Sequence, residues 1–135
     1  MQHTLRKSEI LRGYSVFSDV LKNGESIHGS TLHCYVRKKK RETNMPAVLA
    51  GFAVPRRDVP LAVDRNKLKR LMREAFRMNK IGLNETAQKT DSQLSIVFLY
   101  KQKKGADIRR VQYAQIEGEL REMTAKIISM IARNS

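Results

Sequence analysis

Residues 64–80 read DRNKLKRLMREAFRMNK. Projected at about 100° per residue, the pitch of an α-helix, they separate into two faces. Leu68, Leu71, Met72, Ala75, Phe76 and Met78 are read as one arc, and Arg65, Asn66, Lys69, Arg70, Arg73 and Arg77 as the opposite one. Asp64 is placed to cap a helix running from Arg65 to about Lys80, with Gly82 and Asn84 beyond its end. The plain reading of the polar arc is a solvated charged face. Such faces usually mix signs, whereas Arg65, Lys69, Arg73 and Arg77 stack at successive i+4 steps and repel by about 0.2–0.5 kcal/mol per pair. A polyanion that offsets this repulsion is the sharper reading. Guanidinium forks match phosphate oxygens bidentately, and Asn66 can hold a phosphate, a 2′-hydroxyl or a metal-bound water beside them.

Working outward, Pro55 and Pro60 bracket the loop PRRDVP, and residues 46–54, PAVLAGFAV, form an apolar strand before it. Residues 31–36 alternate, with Leu32, Cys34 and Val36 on one side and His33, Tyr35 and Arg37 on the other. These two strands are expected to pair antiparallel across a polar turn, RKKKR at 37–41 followed by Glu42, Thr43 and Asn44. Residues 8–23 read as a first helix, with Ser8 as N-cap, Ile10, Tyr14, Phe17 and Leu21 at helical spacing, and Gly24 as the C-terminal cap. Downstream, residues 91–100, DSQLSIVFLY, supply another strand, and KQKKGAD a basic turn with Gly105 at its tip. A last helix begins near Asp107, and its stripe of Tyr113, Ile116, Leu120, Met123, Ile127 and Met130 needs a sheet to cover. The order is helix, strands, helix, strand, helix: one α+β domain over residues 1–135.

Composition narrows the function. With 27 Lys+Arg against 13 Asp+Glu, the 135-residue chain carries a formal charge of +14 and attracts polyanions, nucleic acid first and anionic lipid headgroups second. Its 41% hydrophobic content excludes a disordered basic tail, and its length excludes a multidomain enzyme. Cys34 is a single cysteine, so neither an internal disulfide nor a Cys/His zinc site is expected. No run approaches the roughly 20 apolar residues of a membrane span, and the N-terminus lacks the apolar core of a secretory signal. A cytoplasmic protein is the expectation. His3, His28 and His33 stand in no recognisable spacing with carboxylates or a nucleophilic serine, and no paired acids suggest metal-dependent hydrolysis. No side chain is therefore assigned a catalytic or metal-binding role.

The basic helix resembles the RNR signature of the protein subunit of bacterial ribonuclease P, through Arg65, Asn66, Lys69, Arg70, Arg73, Glu74, Ala75, Phe76 and Arg77. LRKSEI with Phe17, Val20, Leu21 and Gly24 is similar to that family's N-terminus and first helix, TLHCYV and AGFAVPRR to its strands, and SIVFLY with the final helix to the remainder. The resemblance implies an α/β sandwich of order αβββαβα, shared with certain ribosomal-protein and translation-factor domains. It also implies a left-handed βαβ crossover, against the usual rule. Two positions depart from the family's pattern. Arg56 and Arg57 lead into Asp58, Val59 and Pro60 without a glycine, and Leu21 stands where the first helix often carries a second aromatic.

What the resemblance implies for function is a ribonucleoprotein endoribonuclease that cuts precursor tRNA to leave a mature 5′ end. In it RNA is the catalyst, Mg2+ is bound mainly by that RNA, and neither membrane nor DNA is a partner. One surface, Arg56, Arg57, Arg65, Asn66, Lys69, Arg70, Arg73 and Arg77, would face the catalytic RNA. The other would be a cleft for the precursor's 5′ leader between the first helix and the open sheet face, with Phe17, Leu21, His33 and Tyr35 lining it and aromatics stacking on unpaired bases. Plainer readings stand beside these: Phe17 as a core residue, Tyr35 as sheet surface, His33 as an ordinary strand residue. Residues 37–41, and likewise Lys101, Lys103 and Lys104, are a solvated tip or an auxiliary RNA contact. The rival function is a noncatalytic ribosome-associated or RNA-chaperone protein. A DNA-binding regulator, third, would show a helix-turn-helix pair and a dimerisation surface.

Overall fold

Leu32, Cys34 and Val36 are buried at 0%, 0% and 5% exposure while His33, Tyr35 and Arg37 are half-buried on the other side, so the alternation does place one strand face in a core. The computed structural model describes residues 5, 9–11, 13–42, 45–101 and 110–133. Its elements are α1 (Tyr14–Asn23), β1 (Glu25–His28), β2 (Leu32–Lys40), β3 (Val48–Ala53), α2 (Ala62–Lys89), β4 (Ser92–Tyr100) and α3 (Tyr113–Arg133). This is the mixed order αβββαβα.

The sheet runs β1-β2-β4-β3. The strands expected to pair, β2 and β3, are therefore not neighbours: β4 lies between them, antiparallel to β2 and parallel to β3. The cause is burial. β4 carries Leu94, Ile96, Val97, Phe98 and Tyr100 at 0–1% exposure, apolar toward both faces, and a strand of that kind is stable only in the middle of a sheet. The long α2 supplies the crossover that the parallel β3–β4 pair requires. Residues 37–40 are not a turn either. They extend β2, pairing Arg37 with Ser95 and Lys40 with Ser92, because the ladder on β4 satisfies their backbone while the lysine stems reach solvent.

The first helix is shorter than its pattern suggested. Ile10 bridges Ala50, and the Leu11 amide donates to the Ala50 carbonyl at 2.8 Å, so this segment lies extended along the outer edge of β3. Gly13, at φ +98°, then turns the chain into α1, a conformation that favours glycine. The expected cap, Ser8, lies outside the described residues.

In contrast, α2 runs past Gly82 and Asn84 to Lys89 because Leu83 and Ala87 continue the buried stripe of Leu68, Met72, Ala75 and Phe76. Its N-cap position is Leu61 without a side-chain cap, and Asp64 sits inside the first turn. Met78 is exposed rather than buried, and Lys80 takes a buried place instead. α3 begins at Tyr113, with Val111 and Gln112 non-helical before it; Asp107, Gly105 and the basic turn around them lie outside the described residues. Tyr113 is 37% exposed, and the buried stripe is completed by Thr124 and Ile131.

Two helices cover one sheet face. α2 packs on β3 and β4, while α3 packs on α2 and β2, so a helix as well as the sheet covers the α3 stripe. Phe52, Phe76 and Phe98 meet at the centre of this layer with centroids 5.6–5.9 Å apart. On the opposite face α1 builds a smaller core of Leu11, Val20 and Val97, joined by Phe17, Tyr35 and Leu49. Among the described residues no helix is long and apolar enough to cross a membrane.

Candidate nucleic-acid interface

The loop before α2 folds on itself: the Asp58 and Val59 amides both donate to the Pro55 carbonyl, at 3.1 and 2.9 Å, and Val59 is fully buried. Arg56 and Arg57 are thereby held out in solvent. Arg65 reaches back from the first turns of α2, its Nη1 donating to the carbonyls of Val59 at 3.0 Å and Pro60 at 2.7 Å. One of the expected RNA contacts is thus also the clasp that sets the Arg56–Arg57 loop against the helix.

Along α2, Asn66, Arg70 and Arg73 are exposed and Lys69 is half-buried. Together with Val63 and Lys67, those three exposed residues line a shallow depression of about 530 Å³. Lys67 was not among the expected residues, although its place three before Arg70 puts it on the rim of the same arc. Arg77 lies apart from them. Its Nε and Nη2 donate to the two Glu74 carboxylate oxygens at 3.0 and 2.9 Å, and this fork holds the Glu74 carboxyl below its usual range. Arg65 and Arg77, the two ends of the like-charge stack, thus have partners within the protein, and Arg73 presents its charge outward together with Arg70 and the loop arginines.

The second surface is set by strand register. His28 pairs with His33, His33 with Leu99, and Leu99 with Ala53, which makes one cross-strand row. The next row, Ser26, Tyr35, Val97 and Gly51, lies under α1. A Cβ on Gly51 would stand 2.5 Å from Phe17 Cζ, so the ring edge rests on bare backbone and only glycine fits there. Phe17 and Tyr35 are both half-buried, one part of each ring in the small core and the rest open, so the core and surface readings each describe part of these side chains. Leu21 is 41% exposed on α1. Asp19 binds Arg37 at 3.1 Å and Lys39 at 3.8 Å and ties α1 across β2.

His33 is half-buried, with its Nδ1 2.8 Å from the Nδ1 of exposed His28 and the rings edge to face at 84°. Burial, then the neighbouring His28 and Lys101, push the His33 imidazole down from its ordinary value, with Glu119 opposing them. His28 was missed. The signal was present: Gly29 and Ser30 lie between the histidines, and the Gly29 amide donates to the Leu32 carbonyl at 2.8 Å to close the hairpin. Burial pushes the Cys34 thiol far up, so it is an inert core side chain. Among the described residues, no three His, Cys, Asp or Glu side chains gather where they could hold a metal ion.

Comparison with known proteins follows the same lines. The sequence model of the ribonuclease P family matches residues 5–128. The ribonuclease P protein component of Chlorobaculum tepidum is 32% identical over 133 residues, covering 94% of this chain and 84% of the relative. That of Chlorobium phaeobacteroides is 42% identical over 80 residues, 58% of this chain and 55% of the relative. Among solved structures, the RNase P protein from Thermotoga maritima superposes with a TM-score of 0.66 at 26% identity, covering 87% of this chain and 96% of that one.

Proposed function

The chain belongs to the ribonuclease P protein family, the protein part of a ribonucleoprotein that processes tRNA, and from that premise we propose how its two surfaces divide the work. The N-terminal half of α2 and the loop before it bind the catalytic RNA. The open sheet row beside α1 receives the single-stranded 5′ leader of precursor tRNA. The observation that supports this reading is the Arg65 clasp, which holds the Arg56–Arg57 loop against the first turns of α2, where Asn66, Arg70 and Arg73 are exposed, so that the loop backbone need not be ordered on binding.

The donor set of that surface does not suit a resident Mg2+. Guanidinium and ammonium groups offer no lone pair to a hard cation, and the Asn66 carbonyl is the one neutral oxygen that the side chains of this set contribute. The ion belongs with RNA phosphates, and the protein's part is to let those phosphates crowd together. Positive side chains lower their mutual repulsion, and bidentate forks fix their orientation.

Reconstitution of the protein with its catalytic RNA and a precursor tRNA tests this. Protein freed of RNA should leave the precursor uncut, and adding it to the RNA at low Mg2+ should raise the cleavage rate. The assembled enzyme should bind precursor more tightly than mature tRNA. Cleavage by the RNA-free protein, or equal affinity for both tRNAs, would overturn the corresponding half of the proposal.

A further inference from the structure

His28 and His33 stand directly opposite each other on β1 and β2, where the hairpin turn brings them together, and their Nδ1 atoms lie 2.8 Å apart. Two nitrogens this close cannot both carry hydrogen, so at least one lone pair points into the gap. Such a gap takes a small positive centre, either a proton or a metal ion. Ring geometry distinguishes the two. A proton on the line between the nitrogens would put the ring centroids about 5 Å apart, because each nitrogen stands about 1.1 Å from its centroid and a good hydrogen bond runs along both ring axes. The centroids are 4.4 Å apart, with the ring planes at 84°. Separations of 2.8 and 4.4 Å are together met when the two Nδ1 axes converge at about 90° on a point about 2.0 Å from each nitrogen, the bond length of imidazole to a late first-row metal.

We propose that His28 and His33 chelate one late first-row divalent ion, of the class of Ni2+ and Zn2+, through their two Nδ1 atoms. Both rings coordinate in the neutral form with their hydrogens on Nε2. Imidazole nitrogens favour these borderline ions over Mg2+, which takes oxygen ligands. Water completes the remaining positions, since no third His, Cys, Asp or Glu side chain joins the pair among the described residues. Of the charged groups that act on His33, exposed Lys101 opposes a bound cation and Glu119 favours it, so the chelate itself supplies the affinity. An ion held there clips β1 to its neighbour. β1 is a four-residue edge strand whose Glu25, Ser26 and His28 are exposed, so it has little apolar burial of its own to hold it in place. The unfolded chain leaves the two rings unaligned, so the ion binds the folded hairpin in preference and stabilises it. The site does not depend on which RNA this face meets.

The full-length chain, first stripped with a chelator, would be titrated with Ni2+, Zn2+ and Mg2+ by calorimetry and thermal melts, with the imidazole nitrogens followed by NMR during the Zn2+ titration. The wild type should bind one Ni2+ or Zn2+ and melt higher by about 5 °C at saturating ion, with no such response to Mg2+. His28→Gln and His33→Gln should each weaken that binding by about tenfold or more. On Zn2+ binding the Nδ1 resonances of both histidines should move together. A wild type that binds neither Ni2+ nor Zn2+ overturns the proposal, as does binding that survives undiminished in both variants. Coordination through the Nε2 atoms, read from the same spectra, also overturns it. His28 is exposed, so His28→Gln keeps the test valid if His33→Gln fails to fold.

Discussion

Lys80 Nζ lies 2.8 Å from Glu9 Oε2, with the lysine side chain 5% and the glutamate 16% exposed. This ion pair fastens the segment that pairs with β3 to the middle of α2, joining the N-terminal part of the chain to an element some seventy residues on. Lys80→Met would remove this cation from beside a carboxylate that lies largely out of water, and should cost stability toward the lower end of about 3–5 kcal/mol. The double variant Glu9→Gln/Lys80→Met should recover much of that loss. Denaturant unfolding of the four members of the cycle would check this, and simple additivity would show that the pair is not coupled.

Arg65 and Arg73 both stand on α2 but should behave differently, Arg65 being half-buried and Arg73 exposed. Arg73→Ala removes an exposed charge, so it should change folding stability by about 0.5 kcal/mol or less while reducing the salt dependence of RNA binding by about one ion. Arg65→Ala also releases the Val59 and Pro60 carbonyls and should cost about 1–2 kcal/mol of stability in addition to RNA affinity. Thermal melts beside RNA titrations at several salt concentrations would distinguish them.

Gly51→Ala should strike at Phe17. The added methyl would stand 2.5 Å from the ring and lift it off the sheet, at about 1–3 kcal/mol. If the ring lines the leader path, precursor affinity should fall while mature tRNA is bound as before. Equal losses for both tRNAs would show a purely structural role.

Leu21→Phe makes the converse test on the same helix. Leu21 is 41% exposed, so an aromatic ring there should leave the melting temperature nearly unchanged and strengthen precursor binding by up to about 1–3 kcal/mol through stacking. No gain in precursor affinity would place Leu21 outside the cleft.

The depressed His33 imidazole predicts the direction of a pH effect on folding. The folded state takes up this proton less readily than the unfolded chain, so the unfolded state binds more protons between the lowered native value and about 6.5. Stability should be full above that window and decline as pH falls through it. His33→Val should flatten this part of the profile in melts between pH 7.5 and 5, and an unchanged slope would assign the effect to other groups.

Some of this protein is local and so could be read from neighbours in the chain. The two faces of α2 follow from helical pitch, the inward side of β2 from alternation, and the attraction to polyanions from an excess of basic side chains. The family's motif also lies within one helix. The tertiary structure alone decided the rest, because those features are choices among partners far apart in sequence. β4 enters between β2 and β3 because its apolar residues need cover on both faces, a demand that the pattern of β2 or β3 does not contain. The same ladder draws residues 37–40 out of a turn and into a strand. Arg65 became a clasp, and His28 the partner of His33, only once carbonyls and strands had been brought within hydrogen-bonding reach. Periodicity shows which side of a residue is buried; what it touches is set when the separate elements compete to cover one another.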